Sequence, residues 1–507
     1  MSRCSSFDAY KQFEDKFFNS YKDFLKGIPI ENPFEYALHC SDNDLGKITD
    51  YLIELYNKIP ESYYKNFKID ISNFFLDKEQ ISFSSLEVIN KIKKLLSTKR
   101  HSKFVSNLAI LSCFDYSFLH YIIGENPNYK PNADTFKKST DEVDSTYYSN
   151  ITKFKITLVR NLESLDSDRA VESLLYRNTD LAVACGLEPT CIPDHSIISR
   201  FRLDHLTPLK SIAIFYFIVL IAITNEIVSN IHCATDSTHI FSYANTYNRY
   251  NTCNCKYRSD CCPTCTYDIN ANVGHKSENF SFFGYKVHAT VDAISRLVLG
   301  FFFSPGASHD SPIYIPLQKF IHKILHIRFD VYSADKGYDS TKNNSFIANE
   351  LQANPAISIR EMEKKSNCDF VFYKNGVPHC KYSKLEFSPS GKDLKSGFRL
   401  WNCPNASKGY DCEFIDQCNP SSKNLIRTHK TPLDDIRKSG TTALSKHSKE
   451  WKKAYNLRVI IEQIFSELKL KFNLDNLNFF KLSSIFSYVC CSLIAYNLTV
   501  LVKKLII

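Results

Sequence analysis

Near the C-terminus, apolar residues recur at Leu457, Ile460, Ile461, Ile464, Phe465, Leu468 and Phe472, the three- and four-residue steps of one side of an α-helix. Tyr455, Arg458, Glu462 and Lys469 follow each other by three, four and seven residues. At about 100° per residue they fall within an arc of about 60° on the other side. The pattern predicts one helix with one face in a core and, on its free face, a carboxylate flanked by two cations and a phenol. Such a carboxylate can hold a metal, and the cations and phenol can hold phosphate. A solvated face laced with salt bridges has the same pattern.

Two upstream segments change the balance. Ile231–Ile240 (IHCATDSTHI) predicts a buried strand with Asp236 near its middle. Phe329–Ser340 (FDVYSADKGYDS) predicts a strand that ends on Asp335, turns at Gly337 and enters a helix near Ser340. An ionised carboxylate in or at the end of a core strand is costly unless paired or metal-bound. Two such Asp and a helical Glu make a hard, oxygen-rich site suited to Mg²⁺ or Mn²⁺ rather than zinc.

The remaining pattern predicts an α/β protein. Residues 231–242 form the first strand, and Phe282–Asp292 and Leu297–Ser304 form a hairpin. A helix over His309–His326 follows, with Asp310 as its cap. Then come the Asp335 strand, with Asp339 as a turn residue, a helix to about Gln352 and a strand over Ala356–Arg360. The Glu462 helix comes after a long interruption. Three antiparallel strands followed by alternating helix and strand bring distant carboxylates together. Ile212–Ile223 is too short to cross a bilayer and reads as a core helix. Leu482–Val502 is long enough, but Ser483, Ser484, Ser487, Ser492, Asn497 and Thr499 interrupt it. It reads as a helix packing against the catalytic core, with a membrane span as the minor alternative and no membrane partner expected.

Together the segments resemble the DDE transposases of bacterial insertion sequences, in the group with a Tyr-Arg-Glu-Lys signature. Asp236, Asp335 and Glu462 match the family's three metal-binding carboxylates, and Tyr455, Arg458 and Lys469 match the rest of the signature. Phe283–His288 (FGYKVH) and Gly306–Pro312 (GASHDSP) are similar to further family segments. The resemblance covers roughly residues 160 to 500 and implies a ribonuclease-H-like catalytic core, a mixed sheet with flanking helices. It implies cut-and-paste transposition: cleavage at the ends of a mobile element and strand transfer to a target. Two Mg²⁺ or Mn²⁺ ions about 3.5–4 Å apart would stabilise the attacking and leaving oxygens. Asp236 would serve both ions, and Asp335 and Glu462 mainly one each. Tyr455, Arg458 and Lys469 would hold phosphates of double-stranded DNA, and the chain would act as a homo-oligomer on it. Two rivals stand beside this: a metal-dependent nuclease without strand transfer, and a catalytically inactive DNA-binding derivative. His239 and His288 read either as auxiliary groups or as strand residues with satisfied hydrogen bonds.

Length and charge agree. The 507 residues exceed one ordinary domain, and a formal charge of +9 favours a polyanionic partner. The expected division is a helical region over 1–150, a helical segment over 151–225, the catalytic core over 226–362 and 451–507, and a Cys-containing insertion over 363–450. Within the second, residues 166–203 suit either a helix-turn-helix or three packed helices without DNA contact. The polar opening of the chain reads as no secretory signal. A cytoplasmic, nucleoid-associated protein is expected, its 18 Cys mostly reduced. Cys253, Cys255, Cys262 and Cys265 could be four thiolate ligands of a structural Zn²⁺, or free thiols in loops. The wider-spaced Cys of the 363–450 insertion suit zinc less.

Overall fold

A computed structural model of the chain describes residues 42–69, 94, 102–124, 148–244, 268, 271–277, 279–359, 371–374, 377–405, 412–414, 428–433, 449–475, 477–479 and 482–506. Cys253, Cys255, Cys262 and Cys265, the four zinc candidates, lie outside the described residues.

Helices occupy the described part of the chain up to residue 224: α1 (Asp42–Asn57), α2 (Ser102–Cys113), α3 (Leu119–Ile122), α4 (Asn150–Leu162), α5 (Asp168–Arg177), α6 (Thr179–Ala184), α7 (His195–Asp204) and α8 (Pro208–Thr224). Their starts follow from local chemistry. The side chains of Ser149, Ser167, Asn178, Asp194 and Thr207 each accept a backbone N–H of the first turn they precede. Pro208 then opens α8, where its missing N–H costs nothing. α8 is apolar nearly all round and buried nearly all round, as a core helix must be.

The sheet comprises β1 (His232–Phe241), β2 (Asn272–Ser277), β3 (Phe280–Asp292), β4 (Val298–Pro305), β5 (Val331–Ala334) and β6 (Asn354–Ile357). Its order is β2-β3-β1-β5-β6, with β4 also paired to β3. β3 runs antiparallel to β1, β2 and β4, while β1, β5 and β6 are parallel. α9 (Tyr314–Leu325) connects β4 to β5. α10 (Thr341–Ser345), continued by a π-helical turn over Phe346–Glu350, connects β5 to β6. The apolar run along β4 is explained by helices on both faces. Phe301 meets Phe215 of α8 at 5.1 Å, while Phe302 meets Phe320 of α9 at 5.4 Å. A Cβ at Gly300 would come within 2.5 Å of Ile321, so the missing side chain lets α9 approach the strand.

Between β6 and the last helices lies a small β unit. β7 (Val371–Lys374) and β8 (Val377–Cys380) form a hairpin, and β9 (Ser388–Asp393), β10 (Phe398–Asn402) and β11 (Thr428–Pro432) form a three-stranded sheet. Val371, Val377, Cys380, Phe387 and Trp401 give this unit its own core. α11 (Lys449–Asn456), α12 (Val459–Lys471) and α13 (Leu482–Ile506) end the chain. α13 is long and apolar enough to cross a membrane, but most of it is buried against α8, α4 and α2.

Three expectations are corrected. The helix carrying Tyr455, Arg458, Glu462 and Lys469 is two helices. Leu457 and Arg458 form a turn in which Arg458 N bonds Tyr455 O and Ile461 N bonds Arg458 O, three residues apart each time. Leu457, expected inside, is 37% exposed there. The strand placed at Ala356–Arg360 is β6, Asn354–Ile357, because it pairs in parallel with the short β5 and ends with it.

Candidate active site

Asp236 lies mid-β1, and Asp335 follows the last residue of β5. The β1–β5 ladder ends on the pair Thr235–Ala334. The two Asp are therefore the next residues on adjacent parallel strands. Glu462 stands in the first turn of α12. One atom links it to Asp236: Nη1 of Arg458 is 3.1 Å from Asp236 Oδ2 and 2.7 Å from Glu462 Oε1. The two carboxylate oxygens can be no farther apart than these two lengths laid end to end. The turn before α12 makes this contact, because it places Arg458 at the base of the helix.

Asp236 lies among negative charges. Asp236 is pushed up to about 7, chiefly by burial, with the charges of Asp335 and Glu462 adding to the effect. The N–H of Ser237 and the guanidinium of Arg458 oppose the rise. Another acidic residue of the same sheet shows the contrast. Asp292, fully buried at the end of β3, accepts from Ser229 N, Ser229 Oγ, Ile294 N and Ser295 Oγ. Asp292 is a satisfied structural carboxylate. Asp236 has one backbone donor and a borrowed cation.

Tyr455 and Lys469 are placed as follows. Tyr455, on α11, stacks on Trp451 at 5.1 Å, and the Arg458 guanidinium lies 5.7 Å from its ring centre. Lys469, two turns beyond Glu462, pairs with Asp475 at 2.7 Å and lies 3.2 Å from His239 Nε2. Burial pulls Lys469 below the usual lysine range. Burial also lowers His239 to about 4, with the charge of Lys469 acting in the same direction. Asp310, expected as a helix cap, makes no capping bond. It pairs instead with Lys286 at 2.9 Å.

Behind the two Asp lies a buried network whose connections the sequence reading did not supply. His288 on β3 bonds the Tyr338 hydroxyl through Nδ1 at 2.9 Å and Ser304 Oγ through Nε2 at 2.8 Å. Ser237 is the residue directly across the ladder from His288 and also bonds Tyr338. Burial lowers His288 to about 4, so the ring is neutral. The sequence pointed to His288 as a strand residue with satisfied hydrogen bonds, which it is, but nothing in it named Tyr338 or Ser304 as the partners.

The helices before the sheet hold two other charged groups. Asp168 accepts from Arg160 at 3.2 Å, from Ser199 at 2.7 Å and from Arg202. Arg202 is thus held inside, while Arg200 on the same helix is exposed. Among the described residues, the group of three metal-type donors lying within 4.8 Å of one another is Glu172, Asp194 and His195. It lies at the start of α7, with exposed Asp194 capping Ser196 N and half-buried Glu172 of α5 bonding His195. Asp236, Asp335 and Glu462 do not draw together to that spacing; Arg458 stands between the first and the last of them.

Two family models match the chain. Residues 259–498 match a transposase DDE domain, and residues 128–204 match a transposase domain (DUF772). The first match contains Asp335, Tyr455, Arg458, Glu462 and Lys469, and Asp236 lies ahead of it. No curated protein matches the chain.

Proposed function

Since the chain belongs to the DDE transposases of insertion sequences, whose reaction is DNA cleavage and transesterification, we propose that Asp236, Asp335 and Glu462 are its metal-binding catalytic triad. The observation that carries this is the Arg458 guanidinium lying between Asp236 and Glu462, with Asp335 beside Asp236. Three carboxylates of the sheet and α12 share a place where a positive charge is needed.

The donor set fits the metal. It is all oxygen and all carboxylate, the preference of Mg²⁺ or Mn²⁺. Two such ions, held by Asp236, Asp335 and Glu462, would supply Lewis-acid activation of the attacking and leaving oxygens. The chain's own groups do the rest. The Ser237 N–H bond to Oδ1 fixes the rotation of Asp236 and leaves Oδ2 to the cation. Arg458, Tyr455 and Lys469 grip phosphates at the element's end, in keeping with the Tyr-Arg-Glu-Lys signature, Arg458 from beside the carboxylates. For Arg458 this requires giving up its carboxylates. Its Nε is buried with no partner, one donor already free for an incoming oxygen.

The sheet order supports a ribonuclease-H-like core over 226–362 and 451–507, interrupted by the β unit in 363–450. The helices in 151–225 are read as a DNA-contacting segment through exposed residues such as Arg200. The partner is double-stranded DNA, bound by more than one copy of the chain, in the cytoplasm at the nucleoid.

Asp236→Asn tests the reading. It should abolish cleavage of end DNA in Mg²⁺ and leave end binding nearly intact, because the lost charge holds metal rather than DNA. Full cutting by this variant would remove Asp236 from the mechanism. Joining of a cut end to a target duplex by the wild type separates transposition from simple nuclease action.

A further inference from the structure

We infer that Tyr338 and His288 are positioning residues that hold Asp236 and Asp335 at the spacing their shared metal requires, an inference that rests on the triad reading above. The β1–β5 ladder stops at Thr235–Ala334, one residue short of both Asp. Sheet hydrogen bonds therefore do not fix their separation. Another link spans the gap. After Asp335 the chain makes a single 3₁₀ turn, Lys336–Tyr338, closed by Tyr338 N bonding Asp335 O at 2.9 Å. That turn drives the Tyr338 side chain back into the core, where it is fully buried. Its hydroxyl meets Ser237, the residue after Asp236, and His288, the residue facing Ser237 on β3. One phenol thus ties the turn of the second Asp to the strand of the first.

The anchor is itself anchored. His288 is held from the far side by Ser304 of β4. Asp310, paired with Lys286, packs under the same turn. A Cβ at Gly337 would lie 3.1 Å from Asp310 Oδ2, so the turn sits directly on that carboxylate. The ring of Tyr338 also packs edge-on against Tyr314 of α9 at 5.8 Å. Groups that orient metal-binding residues without touching the metal commonly change metal affinity by about 10–100-fold when removed.

A residue that only filled the core would alter stability and leave metal affinity alone, so the two roles separate. The probe is Mn²⁺, its binding to the full-length protein without DNA followed by the EPR signal of the free ion, alongside thermal unfolding. Tyr338→Phe keeps the ring and removes the hydroxyl. It should weaken Mn²⁺ binding by about ten-fold or more. His288→Ala should act in the same direction, and His288→Asn, whose amide can still reach the phenol, should recover part of the loss. Ser237→Ala breaks the same link without touching the ring and replaces Tyr338→Phe if that variant fails to fold. Wild-type Mn²⁺ affinity in Tyr338→Phe, whatever its melting temperature, overturns the inference. Asp236→Asn serves as the control. If it too binds Mn²⁺ like wild type, the triad reading has failed. If it loses the ion while Tyr338→Phe keeps it, only the positioning role has failed.

Discussion

At the scale of the residue, the proposed site is built from charges that the fold leaves unfinished. Asp236 is raised to about 7 from the ordinary 3.8, so between those pH values the folded chain holds a proton that the unfolded chain has released. Stability of the metal-free protein therefore falls as pH rises through that window. Asp236→Asn removes the strain, and should raise metal-free stability at pH 7–8 by on the order of 1–2 kcal/mol, read by denaturant unfolding in EDTA. No gain, or a loss, would mean that Arg458 already satisfies Asp236. Arg458→Ala should bind Mn²⁺ more tightly than wild type when no DNA is present, because it removes a cation competing for the same oxygens. With DNA it should bind ends more weakly and with a salt slope smaller by about one phosphate's share. The identities of these groups were legible in the sequence because a carboxylate in an apolar strand is an anomaly whatever surrounds it. Their partners were not. Nothing local to Arg458 says that its guanidinium reaches residue 236, and nothing local to Tyr338 names His288.

At the scale of the element, periodicity carried far but missed breaks. The step pattern from Tyr455 to Lys469 is compatible with one straight helix, yet the chain turns at Leu457–Arg458 and lets Arg458 reach two carboxylates at once. The hairpin of β3 and β4 and the strand of Asp236 were legible in the sequence, from the apolar run of β4 and the β-rich residues of β1 and β3. β2 was not, because Asn272–Ser277 is polar and stands as a strand only by pairing with β3. Likewise the small β unit hides in a polar stretch, since five core residues suffice for it. Among the helices, Asp168 is the buried counter-charge for Arg160 and Arg202, whose guanidinium groups also lie against the Phe479 ring. That ring belongs to the segment joining α12 to α13. Asp168→Ala would leave two buried cations unmatched and should cost about 3–5 kcal/mol, measured as a shift in unfolding midpoint. A change under about 0.5 kcal/mol, the scale of an ordinary surface substitution, would show that the aromatic rings alone support both arginines.

At the scale of the whole molecule, charge is distributed unevenly. Residues 363–450 contain 16 Lys and Arg against 10 Asp and Glu, so this stretch holds most of the formal +9. It lies in sequence between the second and third carboxylates, and Lys392, Lys395 and Lys430 are exposed on its small sheet. Replacing these three lysines with Ala should weaken DNA binding at every sequence alike. The slope of log affinity against log salt should fall by about 0.9 for each phosphate the protein no longer neutralises. An unchanged slope would place this face away from DNA. Chain order has a further consequence. Glu462 and Arg458 lie far downstream of Asp335, and α13, whose side chains complete the core against α8, α4 and α2, follows them. A ribosome that has made Asp236 and Asp335 has made neither the third carboxylate nor the helix that holds the core together. Chains stopped anywhere before α13 should therefore fail to cut end DNA, an outcome that assay of truncated proteins would read directly.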